Sequence, residues 1–419
     1  MSSRLVFAMT ALAMAACPHS NDTPASTGQD GGTADSNSPP SADGGSGLRA
    51  FTPPTDPGGG GILFAASGEV LALTGYSFPP ASPDDPAFVD GWEVRFTHLL
   101  STIDKITLSE NPDTVPGDQS KTGTSAAEVN GPWAVDLARS DPNYLAGKGG
   151  PGEQAVPIAV LSKQKDGSPF KTDGTRYAFG FDAVSASPTA YNVNLDSSAL
   201  VDYREMVKDQ CVVLYVGTAT FKGNKADATC YPDDRKSFPD TVDFRLCFKS
   251  PATYQNCQNP DNDPAQAFPD EEHQRGIAFK SNQSVIGQVT FHVDHPFWDS
   301  VLHDAPTHFD PFAARAVGQD GGKAAVTLEM TKGADYTDYT DALGRQLTWR
   351  YCVEPPTDVH PKLTGAMRFD PQTVPHATAS DPGTGLRDYY DFATYNQSTQ
   401  GHLNSDGLCF VKRNYPSPP

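Results

Sequence analysis

From Ile62 onward the dominant signal is alternation of apolar and polar positions, the period of a half-buried strand. Trp92–Leu100 is the clearest run, with Trp92, Val94, Phe96, His98 and Leu100 predicted on one face. Ile103–Leu108 continues it or begins a new strand. Further strands are predicted at Glu69–Tyr76, Ala155–Leu161, Arg176–Val184, Cys211–Phe221, Val242–Phe248, Val285–Asp294, Ala324–Met330, Gln346–Cys352, Lys362–Phe369 and Gly407–Lys412. Clusters of Gly, Pro, Asn and Asp separate them, as turns require. Helical periodicity is rare; Asp202–Lys208, Pro296–His303 and Asp310–Val317 are short helix candidates. The pattern predicts an all-β chain of one or two β-sandwich-like units with long loops and a few short helices.

The ends of the chain read differently. Leu5–Ala16 is an apolar run behind Arg4, long enough for a secretory signal and too short to span a bilayer. Met14-Ala15-Ala16-Cys17 resembles a bacterial lipobox, which makes residues 1–16 a signal peptide and Cys17 the lipidated N-terminus. Residues 17–60 are rich in Ser, Gly, Asp and Pro and predict a disordered, lipid-anchored tether. Pro18 carries no Asp-type retention signal, so the expected location is the outer membrane. A boundary near residue 200 would divide the rest into a β unit at 61–200 and a second at 201–419.

Cysteine usage supports that division. Of seven cysteines, Cys17 is set aside, leaving Cys211, Cys230, Cys247, Cys257, Cys352 and Cys409. An even number after the leader suits three disulfides in an oxidising compartment. Pairing of neighbours would give Cys211–Cys230, Cys247–Cys257 and Cys352–Cys409. A zinc ribbon is disfavoured because there is no C-x-x-C pair.

Composition narrows the partners. Lys+Arg 31 against Asp+Glu 51 leaves a net charge of −20, which argues against nucleic acid and against electrostatic docking on anionic lipid. The membrane is therefore expected as a partner through the lipid anchor alone. Mean hydropathy is −0.46. There is no P-loop, dinucleotide fingerprint or G-x-S-x-G elbow in the context each requires.

Candidate chemistry concentrates in one segment. Four of ten histidines, His292, His295, His303 and His308, lie among Asp294, Asp299, Asp304 and Asp310. If the strand ends near Asp294 and Phe297–Asp304 is helical, Asp299 and His303 share a helix side and His295 can converge with them. His292 and His295, three apart on a strand, would face opposite ways. His98, on the face of Trp92, Val94 and Phe96, is a candidate third ligand; its alternative is a core histidine bonded to a neighbour. The predicted metal set is His295, His303 and His98, with Asp299, His292 and His308 in reserve. Imidazole and carboxylate suit copper, zinc or iron, and the lack of sulfur in the cluster disfavours Cu(I). The oxygen-rich Asn259–Pro264 loop lacks the spacing of a calcium loop, so calcium is not expected. Tyr336–Asp341 and Tyr389–Tyr395 are acidic aromatic stretches that read as packed edges.

Trp92 and Trp298 accompany these histidines. In residue types and secretion the segment resembles secreted copper-binding proteins of methane oxidisers, in which two histidines and an oxidised tryptophan bind the metal. Asp90–Val94, Gly131–Leu137, Asn256–Asp261 and His292–Asp310 resemble phrases of secreted lipoproteins from myxobacterial-type deltaproteobacteria. That resemblance implies export and anchoring, and no particular activity. Three functions follow: a metal-binding envelope lipoprotein, an envelope metalloenzyme using the same cluster with Asp299 or Asp294 as base, and a metal-free scaffold with its histidines dispersed.

Overall fold

The computed structural model describes residues 47–317, 324–355, 360–369 and 386–413. The signal peptide, Cys17 and most of the predicted tether lie outside the described residues. Two mixed sheets form the body. The smaller runs in the order Gly407–Leu408, Gly401–Leu403, Val285–Phe291, Ile62–Ser67, Gln154–Leu161, Leu145–Ala146. The larger runs Ala324–Thr327, Thr241–Phe248, Val213–Phe221, Trp92–Ser109, Arg176–Ala183, Ala252–Gln255, Phe410–Arg413, with four short strands attached to it. The all-β expectation holds. The sheets meet through one aromatic core: Phe64 lies 6.0 Å from Phe179, and Phe181 6.0 Å from Phe291, each pair joining the two sheets.

No boundary divides the chain at residue 200. Both sheets contain strands from both predicted units, and the position falls inside the helix Ser197–Asp209. That helix is the predicted Asp202–Lys208 segment extended at both ends. Its start is fixed by Asp196, whose carboxylate accepts from the amides of Ser198 and Ala199.

Residues 47–57, assigned to the tether, belong in part to the fold. Arg49 bridges to Tyr191 and its guanidinium stacks 3.7 Å over that ring. The Glu69–Tyr76 strand is instead the helix Glu69–Thr74. Its Glu, Leu and Ala favour helix, and the Ser67 hydroxyl accepts from the Glu69 amide as the chain leaves the buried strand Ile62–Ser67. Gln346–Cys352 and Lys362–Phe369 make isolated bridges, Thr340–Gln346 and Thr348–Ala366, rather than strands.

Trp92–Ser109 absorbs Ile103–Leu108 into one long strand. A bulge between Phe96 and His98 interrupts its pairing with Val213–Phe221. The extra residue turns His98 and Leu100 away from the face of Trp92 and Val94. Leu100 accordingly packs with Tyr203 and Met206 of the helix Ser197–Asp209, whereas Trp92 and Val94 join the main core.

Six cysteines form three disulfides, as expected, but not between neighbours. The pairs are Cys211–Cys247, Cys230–Cys352 and Cys257–Cys409. Two of the pairs follow the larger sheet: Cys247 stands opposite Leu214, beside the start of the strand that Cys211 precedes, and Gln255, two residues before Cys257, stands opposite Phe410, next to Cys409. Among the described residues no helix is long and apolar enough to cross a membrane.

Candidate metal centre

The site forms where the strand Val285–Phe291 ends. The predicted strand to Asp294 stops at Phe291, and Pro296 directs a short 3₁₀ turn, His295–Phe297, in place of the helix expected through His303. This turn frees His292 and His295 from the opposite-face geometry of a strand. The edge strand Gly401–Leu403 pairs antiparallel with Val285–Phe291, with Thr290 opposite His402. His292, two residues beyond Thr290, is thus a diagonal neighbour of His402 on one face. Their rings stack with centroids 4.0 Å apart. A glycine is required at Gly401, where a Cβ would meet the Tyr254 ring at 2.5 Å.

His292, His295 and His402 each offer a ligand nitrogen within 4.8 Å of the others, a group that could hold a metal ion. A tetrahedral ion with metal–nitrogen bonds of about 2.0–2.1 Å would draw them to about 3.3 Å. His295 and His402 are buried, and His295 Nε2 lacks a hydrogen-bond partner. Buried polar atoms without partners are rare and call for an explanation.

Hydrogen bonds set the tautomers. The Thr399 hydroxyl donates its one proton to the Asn396 carbonyl at 2.7 Å, so it accepts from His295 Nδ1, also at 2.7 Å. His295 therefore presents the lone pair of Nε2. His292 Nε2 lies 3.1 Å from the Ser405 carbonyl, which can only accept, leaving the lone pair on Nδ1. Side chains at i and i+3 eclipse in a 3₁₀ turn, and the Trp298 indole stacks 3.7 Å from His295 while donating to Asp294 at 3.1 Å.

Burial holds the His295 imidazole well below its ordinary range, helped by the neighbouring His292, His402 and His303. His402 is lowered for the same first reason, with His292 and His303 adding to it. Both rings are thereby neutral, the form that binds metal. His303 moves the other way, raised by its hydrogen bond to Asp304. Its ring centre is 6.3 Å from His295 and 6.0 Å from His402. A cavity of about 420 Å³ reaches His295, His303, His402 and Trp298. On the other side of His292, Glu69 and Asp406 form a second group with it; burial pushes Glu69 up to about 7.

Three predicted ligands lie elsewhere. His98 Nδ1 pairs with Asp136 at 2.7 Å, and its Nε2 faces Asp202 of the helix at 3.9 Å; the bulge that redirects it makes it the carboxylate-bonded core histidine. Asp299 and His308 sit 3.4 Å apart in a separate buried layer with Asp90. The chain turns back after Trp298, so Asp299 leaves the side of His303 that a helix would have given it. In that layer the Trp92 indole donates to Asp310, which pairs with Arg350, so Trp92 is a core residue. Asp294, the other proposed base, is half-buried, and desolvation raises its carboxyl. In the Asn259–Pro264 loop, Asp261 is engaged by Lys148 and Asn404.

Sequence reading missed His402, a lone histidine in a three-residue strand, and the helix Tyr389–Gln397 that precedes it. The usable signal there was Asp388, an N-cap whose side chain accepts from Asp391.

Comparison with protein-family models, with curated proteins and with solved structures found no match.

Proposed function

We propose that the protein binds one transition-metal ion through His292, His295 and His402. The observation that carries this reading is the convergence of three imidazoles whose ligand nitrogens lie within 4.8 Å of one another, two of them on the buried His295 and His402. A metal-free scaffold has less support, since it called for histidines dispersed beyond about 8 Å, too far for ligand bonds near 2 Å. Three imidazoles suit copper(II) or zinc, and iron less well without a carboxylate in the set. Three disulfides support an oxidising compartment, in keeping with an exported lipoprotein anchored at Cys17 in the outer membrane.

The cavity favours a second reading. A three-histidine ion open to about 420 Å³ has room for a water or substrate in the fourth position, the arrangement of a catalytic metal site. Titration of the metal-free full chain with copper(II) and zinc, followed by calorimetry, tests the main reading. One equivalent is expected for the native protein and none for His402→Ala. Equal binding by the two would refute the site.

A further inference from the structure

Three histidines meet the cavity, and they do so differently. His295 and His402 are 0% and 1% exposed, whereas the His303 side chain keeps 36% of its surface in solvent and lines the cavity wall. His303 Nδ1 lies 3.1 Å from Asp304 Oδ2. A carboxylate only accepts, so Nδ1 carries a proton, and in the neutral ring Nε2 carries the lone pair. That Nε2 is buried and partnerless. The ring is too far from His295 and His402 to share a first bond with them, yet close enough for a side-chain rotation to bring it in. Its main chain is pinned, because His360 Nε2 donates to the His303 carbonyl at 2.8 Å.

The mouth is acidic. Asp270 and Glu271 line the cavity with His303; Glu271 is neutralised by Arg275, and Asp270 is exposed. Glu272 and Asp294 act on the His303 ring beside Asp304. Negative charge around a cleft raises the local concentration of cations and their association rate.

We propose that His303, oriented by Asp304, is a capture ligand that takes a divalent transition-metal ion from the cavity mouth and delivers it to His292, His295 and His402. This rests on the reading of those three as the metal site. A hydrated dication cannot reach buried nitrogens without shedding water, and a half-exposed imidazole allows that exchange in stages. The His303 Nε2–metal bond forms as one water leaves. Bonds to the three inner rings then form as further waters leave, and the His303 bond breaks. No electron is transferred; a His303 ring that meets the ion protonated releases its Nε2 proton to water as the metal bond forms, because Asp304 holds the other proton on Nδ1.

The test is stopped-flow binding of copper(II) to the metal-free full chain, read by quenching of tryptophan fluorescence; Trp298 stacks on His295. His303→Ala and Asp304→Asn are expected to slow association by about tenfold or more, with one equivalent still bound and equilibrium affinity changed far less. In the native protein the rate should fall as salt is added. Unchanged rates in both variants would overturn the relay. Affinity lost in step with rate would overturn it too, and would make His303 a permanent ligand. Failure of the native chain to bind copper or zinc at equilibrium would instead sink the three-histidine site, and the relay with it.

Discussion

His402 lies opposite Thr290 in an antiparallel ladder, and this single pairing puts its imidazole 4.0 Å from that of His292, 110 positions earlier in the chain. The site is therefore a product of the sheet edge. It depends on the helix Tyr389–Gln397 delivering the edge strand and on Thr399, just past that helix, fixing the His295 ring.

Thr399 should tune metal affinity without touching the metal. Thr399→Val removes the acceptor that holds the His295 proton on Nδ1, and affinity should fall about 10–100-fold. Thr399→Ser keeps the hydroxyl and should restore most of it. Competition titration against a chelator of known affinity measures both; equal loss in the two variants would show that methyl packing, not the hydrogen bond, is what matters.

His98 should be irrelevant to metal and relevant to stability. His98→Ala is expected to leave metal stoichiometry unchanged while lowering the thermal midpoint. The Asp136 hydrogen bond raises the folded-state value of His98. Its stabilising contribution is therefore complete below the unfolded value near 6.5 and lost as pH rises through the raised folded value. Denaturant midpoints for native protein and variant should converge towards alkaline pH from a gap at pH 6; a gap that widens would contradict the pairing.

Asp196 gives the opposite pH dependence. Its cap bonds to Ala199 and Ser198 hold the carboxyl down at about 2, from 3.8. The contribution is complete above the unfolded value and is lost as pH falls towards 2. Asp196→Ala should cost about 1 kcal/mol at pH 7 and progressively less in acid. Urea unfolding across that range checks it.

The disulfide pattern is directly readable. Peptide mapping without reduction should recover Cys211–Cys247, Cys230–Cys352 and Cys257–Cys409. Replacing the Cys257–Cys409 pair with serines opens a link across 152 residues and should destabilise the fold by about 2–5 kcal/mol. Because Cys409 also lines the cavity, metal binding should be measured in the same variant.

Much of the fold was legible because burial writes a period-two pattern on strands such as Val213–Phe221 and Thr241–Phe248. The pattern misled where one residue changes the phase. The bulge at Phe96–His98 turned His98 out of the predicted ligand set, and Pro296 ended the strand early enough to let His292 and His295 meet. His295 and His303 were found from local density of histidine, as was His292. His402 was not, because a three-residue strand carries no periodicity and its partner is remote in sequence. Disulfide pairing was illegible for a related reason: two of the three bonds follow strand order, which neighbouring spacing does not encode.

The most direct test of the central claim is elemental analysis by mass spectrometry of the full chain, exported into an oxidising compartment and purified without chelator. It would be run beside His295→Ala/His402→Ala, with circular dichroism to confirm that the variant is folded. The account predicts about one equivalent of copper or zinc in the native protein, as for a single mononuclear site, and none in the folded variant. Equal metal in both, or none in the native protein even after reconstitution, would contradict it.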